Sequence, residues 1–289
     1  MGHWEANGNR RRRWRSGYAS DVDETAETPA TITRSGLRGS AARLSAWLGD
    51  APPYPANTGD LRTVSILGLA LPVRASVAVI AVSLILLLDY HGRIDGLVEA
   101  VLGPFGDTAV DAKRIQSLGR FVLEGLVPLA IVALVLRDRP SRYGLRLGDW
   151  RTGLSIAIGG SAVMTVVILA LVRLPDFAAY YAPQAAPWPQ VVLTTALEVI
   201  PAEFFFRGFL LFALVRIAGP IALVIATMPF AFVHLGKPEY ETLSTLGGGL
   251  LYGWLDWRTG SVLWSGLAHA AILSIAVIAA GAAGAMPGA

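Results

Sequence analysis

Polar and apolar positions divide this chain into long blocks, not into short alternating strands. Near-continuous apolar runs cover Leu154–Val172, Ile217–Val233 and Ser261–Ala280. A helix needs about 20 apolar residues to cross the hydrocarbon core of a bilayer, so each run predicts a membrane helix. Two weaker runs predict two more: Val73–Leu88, extendable back through Arg74, and Phe121–Leu136, which holds Glu124 and Pro128. Gln190–Val215 is a sixth and carries internal charge; Thr242–Leu255 is a seventh, short and Gly-rich. The expected fold is an all-α, polytopic membrane helical bundle of about seven transmembrane helices. No internal repeat is evident.

The connecting segments orient this bundle. The loop Arg137–Arg151 has five Arg and separates the second and third predicted helices. Such a loop belongs on the cytoplasmic side. The basic N-terminus is two helices away, so it falls on the same side. Pro175–Gln190 has no Lys or Arg and belongs on the far side, and Leu255–Ser261 returns to the cytoplasm. Trp188, Trp254, Trp257 and Trp264 suit interfacial positions. The expected location is the cell membrane, multi-pass, with the N-terminus cytoplasmic.

Composition supports the membrane class. The 289 residues are 54% hydrophobic and only 16% charged, below the charge of an ordinary soluble domain. The polar part is concentrated in residues 1–64, which include Arg10–Arg15 and a Ser/Thr/Pro/Gly-rich remainder. That segment has too little apolar surface to offset chain entropy and is expected to be a mostly disordered tail. Residues 65–289 are the membrane domain. The arginine run fits an anchor on anionic lipid better than a nucleic-acid site, so no nucleic-acid partner is expected. No apolar run opens the chain, so a secretory signal peptide is not expected. There is no cysteine, which excludes thiolate chemistry and leaves His, Glu, Asp, Ser and Thr.

The chemistry gathers in three of the apolar runs. "LEVIPAEFFFRGFLL" places Glu198, Glu203 and Arg207 in a helix otherwise suited to lipid. Each charge near the bilayer centre costs about 2.5–3.5 kcal/mol on insertion scales, so these side chains must face protein or water. Glu203 and Arg207 are four apart and share a helical face; a self-neutralising ion pair is the structural reading. Glu198 lies roughly 140° around the helix from Glu203. Pro201, between them, frees the carbonyl of Leu197 and kinks the helix. His234 ends the next apolar run and His269 lies inside the last one. An acid and two imidazoles can activate water and stabilise an oxyanion, or bind a divalent metal. There is no H-E-x-x-H spacing to favour zinc, and neither metal nor cofactor is expected.

"AEFFFRG", "FAFVH" and "TGSVLWSGLAHAAIL", in that order on separate helices, resemble the three motifs of the CPBP family, the CAAX proteases and bacteriocin-processing (ABI) proteins. The resemblance spans roughly residues 115–280, and "RYGLRLGDWRTGL" resembles the cytoplasmic lead-in of bacterial members. It implies an all-α intramembrane endopeptidase of the glutamic type, acting on a membrane-associated peptide or protein. Carried over, Glu203 is the second Glu of the first motif and Arg207 its Arg. Phe230 and His234 are the second motif, with His234 activating water. His269 is the oxyanion-side histidine. Two positions depart: Ala202 replaces the first Glu, and Leu273 the terminal Asn. Glu198, one turn before Ala202, is the possible substitute base, and Ser265, one turn before His269, a possible substitute donor. Two other readings stay open. One is a catalytically inactive protein of the same fold acting in partner binding or bacteriocin immunity. The other is an ion-coupled transporter.

Overall fold

The structure, a computed structural model, describes residues 62–284. The tail expected over 1–64 therefore lies outside the described residues except for its last three. Thr63 and Val64 belong to a strand, and the hairpin they open corrects the purely α-helical expectation. Strands β1 (Thr63–Ile66) and β2 (Leu69–Pro72) pair antiparallel, Thr63 opposite Pro72 and Ile66 opposite Leu69. The turn is Leu67–Gly68, with φ of 52° and 80°. Two positive-φ residues give the primed turn that matches strand twist. A leucine there is unusual, which is why the sequence carried no turn signal.

All seven predicted membrane segments fall on helices. Helix α1 is Val73–Tyr90, and the chain turns at Gly92, φ 61°. A short helix, α2 (Arg93–Leu102), follows. The rod Ala109–Val135 (α3) starts at a Thr108 cap, whose hydroxyl accepts from Asp111 N at 3.1 Å. It then passes through two π-helical stretches, Phe121–Leu126 and Ile131–Val135. Pro128 lies between them. It has no N–H to give the carbonyl of Glu124, so α-helical bonding cannot run through this point. Helices α4 (Trp150–Leu171), α5 (Pro175–Tyr181) and α6 (Trp188–Glu203) come next. Helix α6 runs through a π-helical stretch, Phe204–Leu210, into α7 (Leu211–Ala218). The chain finishes with α8 (Ile221–Phe232), α9 (Glu239–Thr259) and α10 (Leu263–Gly284).

Four of these helices, α1, α3, α4 and α10, are long and apolar enough to cross a membrane, and α8 is apolar but shorter. This set marks a multi-pass membrane protein. The other three of the seven expected segments are the α6–α7 rod, which carries charge, the short α8, and α9, which mixes Glu, Asp and Arg with glycine. The α6–α7 rod is the centre of the bundle, and every residue from Glu203 to Val215 is buried. A helix buried on all sides is apolar all round, and here the Phe204, Phe205, Phe206 and Phe209 rings fill the space. Helix α6 packs between α3 and α10, and α10 also packs on α4.

Lipid tails are as apolar as leucine, so close packing and polar contacts hold such helices together. Thr195 and Ser274 hydroxyls join α6 to α10 at 2.5 Å. Gly208 lets the Tyr143 carbonyl approach: a Cβ there would lie 2.7 Å from that oxygen. At one end of the bundle, Asp138 gathers Arg74, Arg142 (3.0 Å) and Arg216 (3.4 Å). The arginine-rich loop is stitched to the α9–α10 junction. Arg146 Nε donates to Gly260 O at 2.8 Å, and Asp149 N to Thr259 O at 2.8 Å. The two loops expected on one side thus meet. Trp264, at the start of α10, is buried against the arginine-rich loop; its indole N–H donates to Leu147 O at 2.9 Å. The 22 residues of α4 then carry the chain about 33 Å to α5 at the other end.

Candidate active site

Helix α6 sends its two acids in different directions, as the 140° offset requires. Glu203 is fully buried and faces α10. Its Oε2 receives Arg207 Nη1 at 2.5 Å, and its Oε1 lies 2.6 Å from His269 Nδ1. The i, i+4 ion pair is therefore real, and it is also the support of a histidine. Arg207 stacks over Phe230, its guanidinium carbon 3.8 Å from the ring centroid, and lies 5.6 Å from the Tyr252 centroid. Its charge is thus answered by a carboxylate and two aromatic faces.

His234 is held differently. Its Nδ1 lies 2.8 Å from the Phe230 carbonyl, one turn back. A carbonyl only accepts, so Nδ1 carries the proton and the neutral ring keeps its lone pair on Nε2. The Phe230 ring lies against both imidazoles, 4.5 Å from His234 and 6.1 Å from His269 by centroids. Phe230 is the wall that separates and orients them.

Both histidines line one cavity of about 260 Å³. Ala202, Phe206, Phe230 and Leu273 form its inner wall. Tyr180, Tyr181, Gln184 and Lys237 form its outer part, at the α5 end of the bundle, away from the arginine-rich loop. Glu203 is not among the lining residues. It acts from behind, with both oxygens committed to Arg207 and His269.

Glu198 does line the cavity, but in company the sequence did not indicate. Arg120 Nη1 bonds its Oε1 at 2.9 Å, and Lys113 Nζ lies 2.5 Å from its Oε2. Both cations come from α3. Ser265 is turned away: it donates to Asp256 Oδ2 at 2.9 Å and to Val262 O at 3.1 Å, and it does not line the cavity. Ser265 shares the face of His269 but lies one turn nearer the start of α10, beside Asp256, so it is outside the cavity that it was expected to serve. Among the described residues, no group of three His, Asp or Glu is placed to hold a metal ion.

The sequence reading missed the contribution of α3. Lys113, Gln116, Arg120 and Glu124 all line the cavity. Their spacing of three, four and four residues is one face of a helix, so the pattern was present in the sequence. It was hidden because Glu124 reads as an interruption in an apolar run.

Comparison with known proteins finds a match over part of the chain. Residues 184–275 match the family model described as Type II CAAX prenyl endopeptidase Rce1-like, a family of proteases. That stretch holds Glu198, Glu203, Arg207, His234 and His269. Neither the curated proteins nor the solved structures give a match. Over residues 184–275 the chain is therefore similar to the Rce1-like type II CAAX prenyl endopeptidases.

Proposed function

We propose that this protein is an intramembrane endopeptidase that hydrolyses a peptide bond in a membrane-associated substrate. One observation carries the reading. Two imidazoles, each with Nδ1 bound to a fixed acceptor, Phe230 O and Glu203, line a single cavity in the bundle. Water held against His234 Nε2 loses a proton to a base of the cavity wall and its oxygen bonds to the substrate carbonyl carbon. The carbonyl oxygen becomes an oxyanion. His269, when protonated on both nitrogens, donates to it through Nε2, and Glu203 offsets the imidazolium charge. The oxyanion collapses, the C–N bond breaks, and the proton taken from water goes to the leaving nitrogen. General acid–base catalysis of this kind contributes about 10²–10⁴-fold.

The substrate enters from the α5 end, where Tyr180, Gln184 and Lys237 surround the cavity. With the arginine-rich loop and N-terminus cytoplasmic, that end faces the opposite side of the membrane.

A second reading is supported by the two departures from the family motifs. Ala202 and Leu273 both line the cavity, so the positions that lack a carboxylate and an amide are on its surface. The same fold would then bind a partner peptide without cleaving it. The test is the full chain in detergent with a library of membrane-tethered peptides, beside His234→Ala and His269→Ala. Cleavage that both variants lose by at least 10²-fold supports the protease. Equal cleavage by all three refutes it, and peptide binding with no cleavage selects the second reading.

A further inference from the structure

We propose that Glu124, on α3, is the base that takes the proton from the attacking water. The proposal rests on the hydrolytic reading above and assigns the one group that reading leaves open.

A general base needs an acceptor lone pair that faces the substrate space. Glu203 holds His269, and Glu198 and Glu124 line the same cavity as the two histidines; the structure separates the three by what lies near their oxygens. Glu203 has Arg207 on one oxygen and His269 on the other, and it does not line the cavity. Glu198 lines it, with Arg120 at one oxygen and Lys113 at the other. Glu124 lines it too, and differs in having no cation within 3 Å of either oxygen, whereas Glu198 has one at 2.9 Å and one at 2.5 Å. Its Oε1 lies 3.8 Å from Arg120 Nε, beyond hydrogen-bond reach, and its Oε2 has no hydrogen-bond partner although the residue is only 2% exposed. A buried carboxylate oxygen with nothing bonded to it is costly. A water in the cavity removes that cost and is the reactant the site needs.

The backbone explains how a residue so distant in sequence reaches this point. The π-helical stretch Phe121–Leu126 presses α3 onto α6 at Pro201, and a Cβ on Gly125 would lie 3.2 Å from that of Pro201. Glycine at 125 permits this approach. Glu124 and Ala202, the residues next to that contact on their own helices, both open onto the cavity. The alanine methyl leaves the space into which a carboxylate from the opposing helix can project. π-helical insertions of this kind recur at functional sites because they re-aim a side chain.

In the step proposed, Glu124 is ionised. It receives one water proton as the O–C bond forms, while His234 Nε2 accepts a hydrogen bond from the other. Glu124 returns the proton to the leaving nitrogen as the C–N bond breaks.

The experiment uses the full chain in detergent and the membrane-tethered peptide library. Glu124→Gln is close to isosteric and keeps the cavity shape. It should lower kcat at least 10²-fold with KM changed less than threefold, and abolish the acid limb of the kcat pH profile. Ala202→Glu in the Glu124→Gln background puts a carboxylate back on the facing wall and should recover at least tenfold. Dicyclohexylcarbodiimide, which modifies carboxyl groups in apolar surroundings, should inactivate the unmutated protein with label on residue 124. That measurement stands even if Glu124→Gln folds poorly. Wild-type cleavage with Glu124→Gln within threefold of it, or inactivation with label on Glu198 and not on Glu124, overturns this assignment alone. No cleavage by the unmutated protein removes the hydrolytic reading, and this assignment with it.

Discussion

Glu203 holds two neighbours, and its removal separates their energies. Glu203 and Arg207 are 0% and 3% exposed by side chain. Glu203→Gln removes the carboxylate charge but leaves an oxygen that can still accept from His269. The guanidinium is then buried opposite a neutral amide. Breaking one side of a buried pair costs about 3–5 kcal/mol, whereas replacing both partners by apolar groups of similar size is often neutral or stabilising. The Phe230 face keeps part of the cation's stabilisation, so the lower end is expected for Glu203→Gln and the upper end for Glu203→Leu, which also frees His269. At about 2–4 °C per kcal/mol for a domain of this size, the thermal midpoint should fall by roughly 6–20 °C. Arg207→Met should fall comparably, and Glu203→Leu with Arg207→Met should lose far less than the sum. The assay is thermal unfolding of the purified protein in one detergent, as a double-mutant cycle. Single variants within about 0.5 kcal/mol of wild type, or strictly additive losses, would refute the argument that the pair is a buried, mutually dependent unit.

Other consequences can be measured in the same detergent. Gly208→Ala puts a Cβ 2.7 Å from the Tyr143 carbonyl and 2.6 Å from the Phe204 ring, so it should destabilise by about 1–3 kcal/mol through overpacking. Thr195→Val removes the hydroxyl contact with Ser274 and should cost about 0.6 kcal/mol, with 1.7 the upper end for such membrane pairs. Ser265→Ala should lower stability, because Asp256 Oδ2 loses its donor, and leave kcat within about threefold; a loss of cleavage at full stability would return Ser265 to the pocket. Asp138, in the loop after α3, gives an acid dependence. Burial raises its pKa, but the Arg139 N–H and the guanidiniums of Arg74, Arg142 and Arg216 outweigh that and hold it below the ordinary carboxylate value. The stabilisation is therefore complete above about pH 4, the unfolded value, and is lost as pH falls through the lower folded value. Asp138→Asn should lower the thermal midpoint near neutral pH and flatten its fall below pH 4, and an unchanged acid limb would show that Asp138 does not cause it.

The sequence alone determined that the apolar runs are helical and which loops meet. Lipid leaves backbone groups no partner but each other, so long apolar runs favour helices, and all seven runs are mainly helical, Ile217–Val233 being broken at Gly219–Pro220. The positive-inside rule placed Arg137–Arg151 and Leu255–Ser261 together, and hydrogen bonds from Arg146 and Asp149 join them. Helical periodicity separated Glu198 from Glu203 and paired Glu203 with Arg207, because both depend only on spacing within one helix. Facing between helices was decided by tertiary packing alone. Which partner Glu203 meets depends on how α10 docks against α6, and that docking faces Ser265 toward Asp256 while His269 reaches the carboxylate. The cations around Glu198, and Glu124 beside Ala202, are 78 residues or more from their neighbours along the chain. Packing of α3 along α6 brings them to one cavity, and no local pattern encodes a contact between helices so far apart.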